Sequence, residues 1–235
     1  MLCNAPVFVV LFATVMKPDL FAWNPPPRSS LLPRELKIID ALRTPRRVQQ
    51  WLRSLPYNWE KRGETLRSFR KVVRLGSAHC LEAALAAAAI LEHHGYPPIL
   101  LSFESADKLD HVLFVFRKDG KWGSVARSRD AGLHGRRPVF RSARHLALNY
   151  FDPYVDFTGR ITAYALVNLN WLGNYDWRLS LKNMWKVERY LIDFPHKPIH
   201  SSDRRYQRLL RRYVEFKNQY PDRPVVYYPS RPLWW

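Results

Sequence analysis

Cysteine is nearly absent. The chain holds two, Cys3 and Cys80, in 235 residues. That is too few for a disulfide framework or a thiolate zinc site, and it fits a reducing compartment. Glycine is sparse as well, at nine residues, and no Gly-rich phosphate loop occurs. Acidic side chains are outnumbered: 20 Asp and Glu face 38 Lys and Arg, a formal net charge of +18. Such a surplus speeds encounter with polyanions, acidic proteins and anionic membranes but does not set the fold. Long hydrophobic runs are missing too. The apolar stretch from Pro6 to Met16 falls well below the ~20 residues that span a bilayer. No Lys or Arg precedes it and no small-x-small cleavage site follows. The signal-peptide pattern is therefore not met, and a cytoplasmic location is expected.

What the chain has instead is aromatic and aliphatic bulk. Nine Trp, twelve Tyr and twelve Phe are enough for one sizeable core with appendages and argue against disorder. Three parts are expected. Residues 1–33 are an N-terminal segment ending in the Pro-rich "NPPPRSSLLP"; 34–170 form an α+β core; 171–235 are a basic helical extension packed on it. Thr44 and Pro45 open a helix as N-cap and first helical residue, with Val48, Trp51, Leu52 and Leu55 on one face. A second helix carries Leu66, Phe69 and Val73 and stops at Gly76. Then "SAHCLEAALAAAAILEHHG" reads as a helix capped by Ser77 and apolar all round, hence buried on several sides. A short strand, "PILLSFES", follows. "HVLFVFRKDGKWGSV" is the clearest hairpin, with Asp119-Gly120 as its two-residue turn. A further helix, a strand and two amphipathic helices complete the chain, and "PDRPVVYYPSRPLWW" is too Pro-rich to be helical.

Cys80 sits in the first turn of the buried helix. Unpaired backbone N–H groups and the positive dipole end there favour thiolate, and helix N-termini with nearby cations lower reactive thiols to ~3.5–7.5. The same amides suit an oxyanion. A nucleophile needs a base, and His111, opening an apolar strand, is the best candidate. His79 is adjacent to Cys80, but neighbouring helical residues point in different directions. His93 and His94 lie about 20 Å away at the far end of the helix. Counting the hairpin register from Lys118 opposite Lys121 puts His111 opposite Ser128, with Asp130 two residues on. Either could orient the imidazole, Asp130 with charge and Ser128 as a neutral acceptor. Asn58 or Trp59, in "YNWE", is the candidate oxyanion donor. A zinc site from His79, Cys80 and His111 lacks ligand spacing, and no metal or organic cofactor is expected.

The order Cys at a helix start, strand, His opening the next strand, then a Trp-bearing strand resembles the transglutaminase-like superfamily of papain-related cysteine enzymes. Over about Thr44 to Tyr150 the chain is similar to bacterial transglutaminase-like proteins of uncharacterised activity. The resemblance implies a papain-like α+β core, Cys80 as nucleophile and His111 as base. Family members commonly carry Asp four residues after the strand Trp, and here that position is Ala126. The implied activity is thiol-dependent acyl transfer, as peptidase, amidase or transamidase, on a protein or peptide substrate. The net charge favours an acidic one. Two alternatives stand beside it. One is a catalytically degenerate binding member of the fold, suggested by Ala126. The other is a basic nucleic-acid or membrane-surface module using the arginines of "DRRYQRLLRRY", which is less favoured because those arginines fall on the face left by the apolar stripe.

Overall fold

The computed structural model describes residues 19–108, 110–156 and 159–235. Cys3 and the Pro6 to Met16 run lie outside the described residues. In chain order the elements are α1 (Pro33–Ala41), α2 (Pro45–Ser54), α3 (Phe69–Leu75), α4 (Cys80–Glu92), β1 (Ile99–Ser105), β2 (His111–Lys118), β3 (Lys121–Val125), α5 (Ala143–Phe151), β4 (Ile161–Asn168), α6 (Trp185–Asp193), β5 (Lys197–Pro198) and α7 (Asp203–Gln219). The strands form one antiparallel sheet in the order β3-β2-β1-β4-β5. The class is α+β.

Period-two alternation assigns each strand two faces. Leu100, Phe114, Val125 and Val167 pack with α4, whereas Leu101, Phe103, Leu113 and Val115 pack with α5. The sheet is covered on both sides, and α4 lies in the middle of the first layer. Every residue from Leu81 to Glu92 is buried, with α2, α3 and β2 closing around the helix. Its alanines let those neighbours approach. Buried carboxylates are tied by forked guanidinium pairs. Arg178 donates to both oxygens of Glu92 at 2.7 Å, and Arg70 donates to Glu35 at 2.8 and 2.9 Å. Removing one partner of such a pair costs about 3–5 kcal/mol because a charge is left stranded.

Local signals account for most element ends. Thr44 Oγ1 accepts from Arg47 N and Ser142 Oγ from His145 N, each as an N-cap. Gly76 closes α3 at φ 68°, a left-handed conformation open to glycine at little cost. The Asp119-Gly120 turn has φ 50° and 73°, a type I′ geometry that matches strand twist. α4 differs from expectation by two residues: its N-cap is His79 in extended backbone, not Ser77. α7 buries no residue completely, yet Tyr206, Leu209, Leu210, Tyr213 and Val214 form a half-buried stripe with the arginines outside it. Among the described residues, no helix is long and apolar enough to cross a membrane.

Candidate active site

Cys80 is the first residue of α4 and is half-buried. The segment before the helix reaches it through a short parallel bridge. Asn58 N donates to Ala78 O at 3.2 Å, and Ala78 N donates to Pro56 O at 3.3 Å. Glu82, one turn into the helix and buried, gathers donors from that segment. It accepts from Thr65 Oγ1 at 2.8 Å, Arg67 N at 3.0 Å, Asn58 Nδ2 at 3.0 Å and His79 N at 3.1 Å. Arg67 Nε stands 3.5 Å away. One carboxylate thus fixes the helix start, the 58–67 segment and the backbone of His79.

Two imidazoles, those of His111 and His79, share the cleft with the Cys80 sulfur and act on its thiol. Burial alone pushes the thiol up. Hydrogen bonding to the two rings and their charges outweigh it and bring the pKa down to about 5. His79 reaches the sulfur because it precedes the helix: as an extended N-cap, its ring is not bound by the spacing of helical neighbours. Its Nε2 lies 3.0 Å from Thr65 O, 3.5 Å from Glu82 Oε1 and 3.8 Å from Glu60 Oε1. Burial lowers its pKa, but the Cys80 hydrogen bond and the Glu82 charge prevail, and it rises to about 9. Charge pairing of this strength near a thiol is the pattern of a functional cysteine.

His111 opens β2 and is buried. Its Nε2 lies 3.1 Å from the carbonyl oxygen of Leu133. A carbonyl only accepts, so Nε2 carries the proton and Nδ1 is the nitrogen left for the sulfur. This corrects the expected orienter. The register from Lys118 opposite Lys121 holds as far as Phe114 opposite Val125, and then pairing stops. Gln49, on α2, takes both backbone groups of the next residue: Nε2 donates to Ala126 O and Oε1 accepts from Ala126 N, each at 2.9 Å. The chain leaves the sheet, so Ser128 never comes opposite His111. Asp130 is exposed and ion-paired with Arg129 at 3.1 Å. Ser128 is buried, with Oγ accepting from Asp130 N at 3.1 Å.

The loop that carries Leu133 is held by residues that the sequence did not single out. Arg136 is fully buried. It donates to Gly132 O, His134 O and Asn149 Oδ1, each at 2.6 Å. Its guanidinium carbon lies 4.1 Å from the Tyr150 ring centre and 4.7 Å from that of Trp234. Burial without a carboxylate lowers its pKa to about 10. The two carbonyls it clamps flank Leu133, which aims the Leu133 carbonyl. Gln49 Oε1 also accepts from Gly135 N at 3.1 Å. A Cβ at Gly135 would lie 2.1 Å from that same oxygen, so only glycine fits.

Asn58 and Trp59, the expected oxyanion donors, both line the cleft that holds Cys80. Asn58 is buried with its amide engaged by Glu82 and Thr65. Trp59 is 61% exposed, with its ring edge-on to Tyr57 at 4.9 Å. The first amides of α4, including that of Cys80, have no preceding helical turn to receive them. Sulfur and imidazoles face a cleft of about 800 Å³. Its walls come from the Tyr57–Glu64 segment, the start of α4, the 128–133 loop, α6, α7 and the stretch from Asp222 to Tyr228. The lining carries seven carboxylates against four Lys and Arg, a reversal of the balance of the whole chain. Among the described residues, no group of three His, Cys, Asp or Glu side chains could hold a metal ion.

No protein-family model matches the sequence, and no curated protein matches it. Among solved structures, Legionella pneumophila LapG is similar at 13% identity and a TM-score of 0.37, over 63% of this chain and 89% of that one. A TM-score this low carries no weight for fold or activity, and the site stands on its own geometry.

Proposed function

We propose that the chain is a thiol-dependent acyl-transfer enzyme acting on an amide-type bond in a protein or peptide. The observation that carries this is a half-buried sulfur at a helix N-terminus that shares one open cleft with two imidazoles, His79 and His111. Cys80 gives its proton to His111 Nδ1, and the sulfur bonds to the acyl carbon as the carbonyl π pair moves onto oxygen. The amide of Cys80, at the open helix start, is the donor proposed for that oxyanion. Collapse breaks the C–N bond, and His111 returns the proton to the departing amine. Water or a second amine then attacks the thioester, passing its proton through His111 to the sulfur. The sequence resemblance to transglutaminase-like proteins agrees with this scheme, and either acceptor is compatible with it.

The carboxylate-rich lining revises the expected substrate. Net charge alone favours an acidic partner, but the cleft favours a segment bearing Lys or Arg, or a cationic amine. A binding-only role is the second reading, favoured by the neutral carbonyl on His111 where a triad carboxylate would stand. An activated acyl ester separates the two. The enzyme forms an acyl adduct on Cys80, seen by mass, that clears on adding water or amine, and both steps slow by about 10²–10⁴ in His111→Ala. No adduct, or an adduct that persists, leaves the binding role.

A further inference from the structure

We infer that His79 is a second catalytic imidazole: a protonated ring that touches the Cys80 sulfur and keeps it ionised while His111 moves the proton. This rests on the proposed function only in requiring Cys80 to react. The geometry divides two tasks that a single His with a carboxylate usually combines. His111 has direction but no negative charge behind it, since its acceptor is the Leu133 carbonyl. His79 has the charge. Its Nε2–H points at Thr65 O and stands within 3.8 Å of carboxylate oxygens on Glu82 and Glu60. A ring so placed is held as imidazolium, and it shares the cleft with the Cys80 sulfur, whose interaction raises its pKa.

The surroundings of His79 decide whether that charge persists. From α4 it faces Cys80 and Glu82, from the preceding segment Glu60 and the Thr65 carbonyl, and from α6 Glu188, which feels its charge. Glu64 lies close enough to Glu188 to raise that carboxyl. Arg67 is the opposing cation. Its Nε stands 3.5 Å from Glu82, and its Nη atoms are shared with Ser77 and Asn58. Acids outnumber that one cation around the ring, so the imidazolium is favoured. His79 gains and loses no proton in the cycle; it acts as a fixed positive charge beside a nucleophile whose own proton travels through His111.

The test is the pH dependence of iodoacetamide alkylation of Cys80 in the full chain, in a Cys3→Ser background. The midpoint lies near about 5 when His79 is present. In His79→Gln, which removes the ring's charge, it rises by about 1–3 pH units, the effect of losing one nearby opposite charge. An unmoved midpoint in a folded variant overturns the inference. If that variant does not fold, the unmutated ring decides. The expected NMR titration midpoint of His79 is about 9, and in Cys80→Ser, which removes the thiolate, the expected midpoint falls by about 1–3 units. A ring neutral at pH 7, or one indifferent to Cys80→Ser, overturns the inference equally. Neither measurement uses an acyl substrate. Missing turnover therefore sinks the proposed function alone, and an unmoved thiol midpoint sinks the role of His79 alone.

Discussion

Two flanks of Cys80 are built from opposite materials. On the His79 side stand carboxylates: Glu82, buried and saturated with donors, and Glu60 beside it. On the His111 side stand a main-chain carbonyl and, behind it, a buried guanidinium with no carboxylate partner. His134, on the same loop, is kept neutral. Burial is the main cause and the neighbouring Arg127 adds to it, lowering its pKa to about 4. One flank supplies charge and the other supplies direction. In the proposed mechanism the charged flank acts on the sulfur and the other flank orients His111, whereas in a conventional triad one carboxylate orients the imidazole and stabilises its cation.

The contrast breaks most severely at Glu82. Glu82→Ala removes the carboxylate beside Arg67 and leaves one N–H of the Asn58 amide and two backbone N–H groups without their acceptor, while Thr65 Oγ1 keeps only Glu60 at 3.4 Å. A loss of about 3–5 kcal/mol is expected by urea denaturation, as for a broken buried pair. A loss below about 1 kcal/mol would mean that the charged flank is not held as described. Next is Arg136→Met on the neutral flank. Its removal frees the carbonyls of Gly132 and His134, but Tyr150 Oη still donates to His134 O at 3.0 Å. The expected cost is about 2–3 kcal/mol, with slower Cys80 alkylation as the Leu133 carbonyl loses its aim. A stability loss with alkylation unchanged would separate the loop from His111. Smallest is Asp130→Asn. The carboxylate is exposed and ion-paired with its neighbour Arg129, so stability should change by at most about 0.5 kcal/mol, and alkylation should stay within about twofold. A larger slowing would give Asp130, which lines the cleft, a part in activating the thiol.

Much of the scaffold was legible in the sequence. Unbroken apolarity marked α4 as buried, Asp119-Gly120 fixed the hairpin register, and Cys80 and His111 stood out by opening a helix and a strand. What stayed hidden has physical reasons. The α4 cap falls at His79 rather than Ser77, and that shift of two residues turns a helical neighbour into a ligand of the sulfur. Gln49 reads as a surface residue of an amphipathic helix, yet its amide ends the strand pairing and moves the Ser128 position away. Arg136 is one arginine among many in a basic chain, and only burial sets it apart. Net charge pointed to an acidic substrate because it averages over the whole surface, while the cleft concentrates the minority sign.

The acceptor on His111 belongs to the peptide backbone, and this has a consequence for genetics. All twenty amino acids bring the same oxygen to position 133, so no exchange of side chain there deletes it. A mutational scan would score Leu133 as a packing residue and pass over the atom that sets the tautomer of the base. Its loss would surface elsewhere, at Arg136, Gln49 or Gly135, as defects in residues that never touch the thiol.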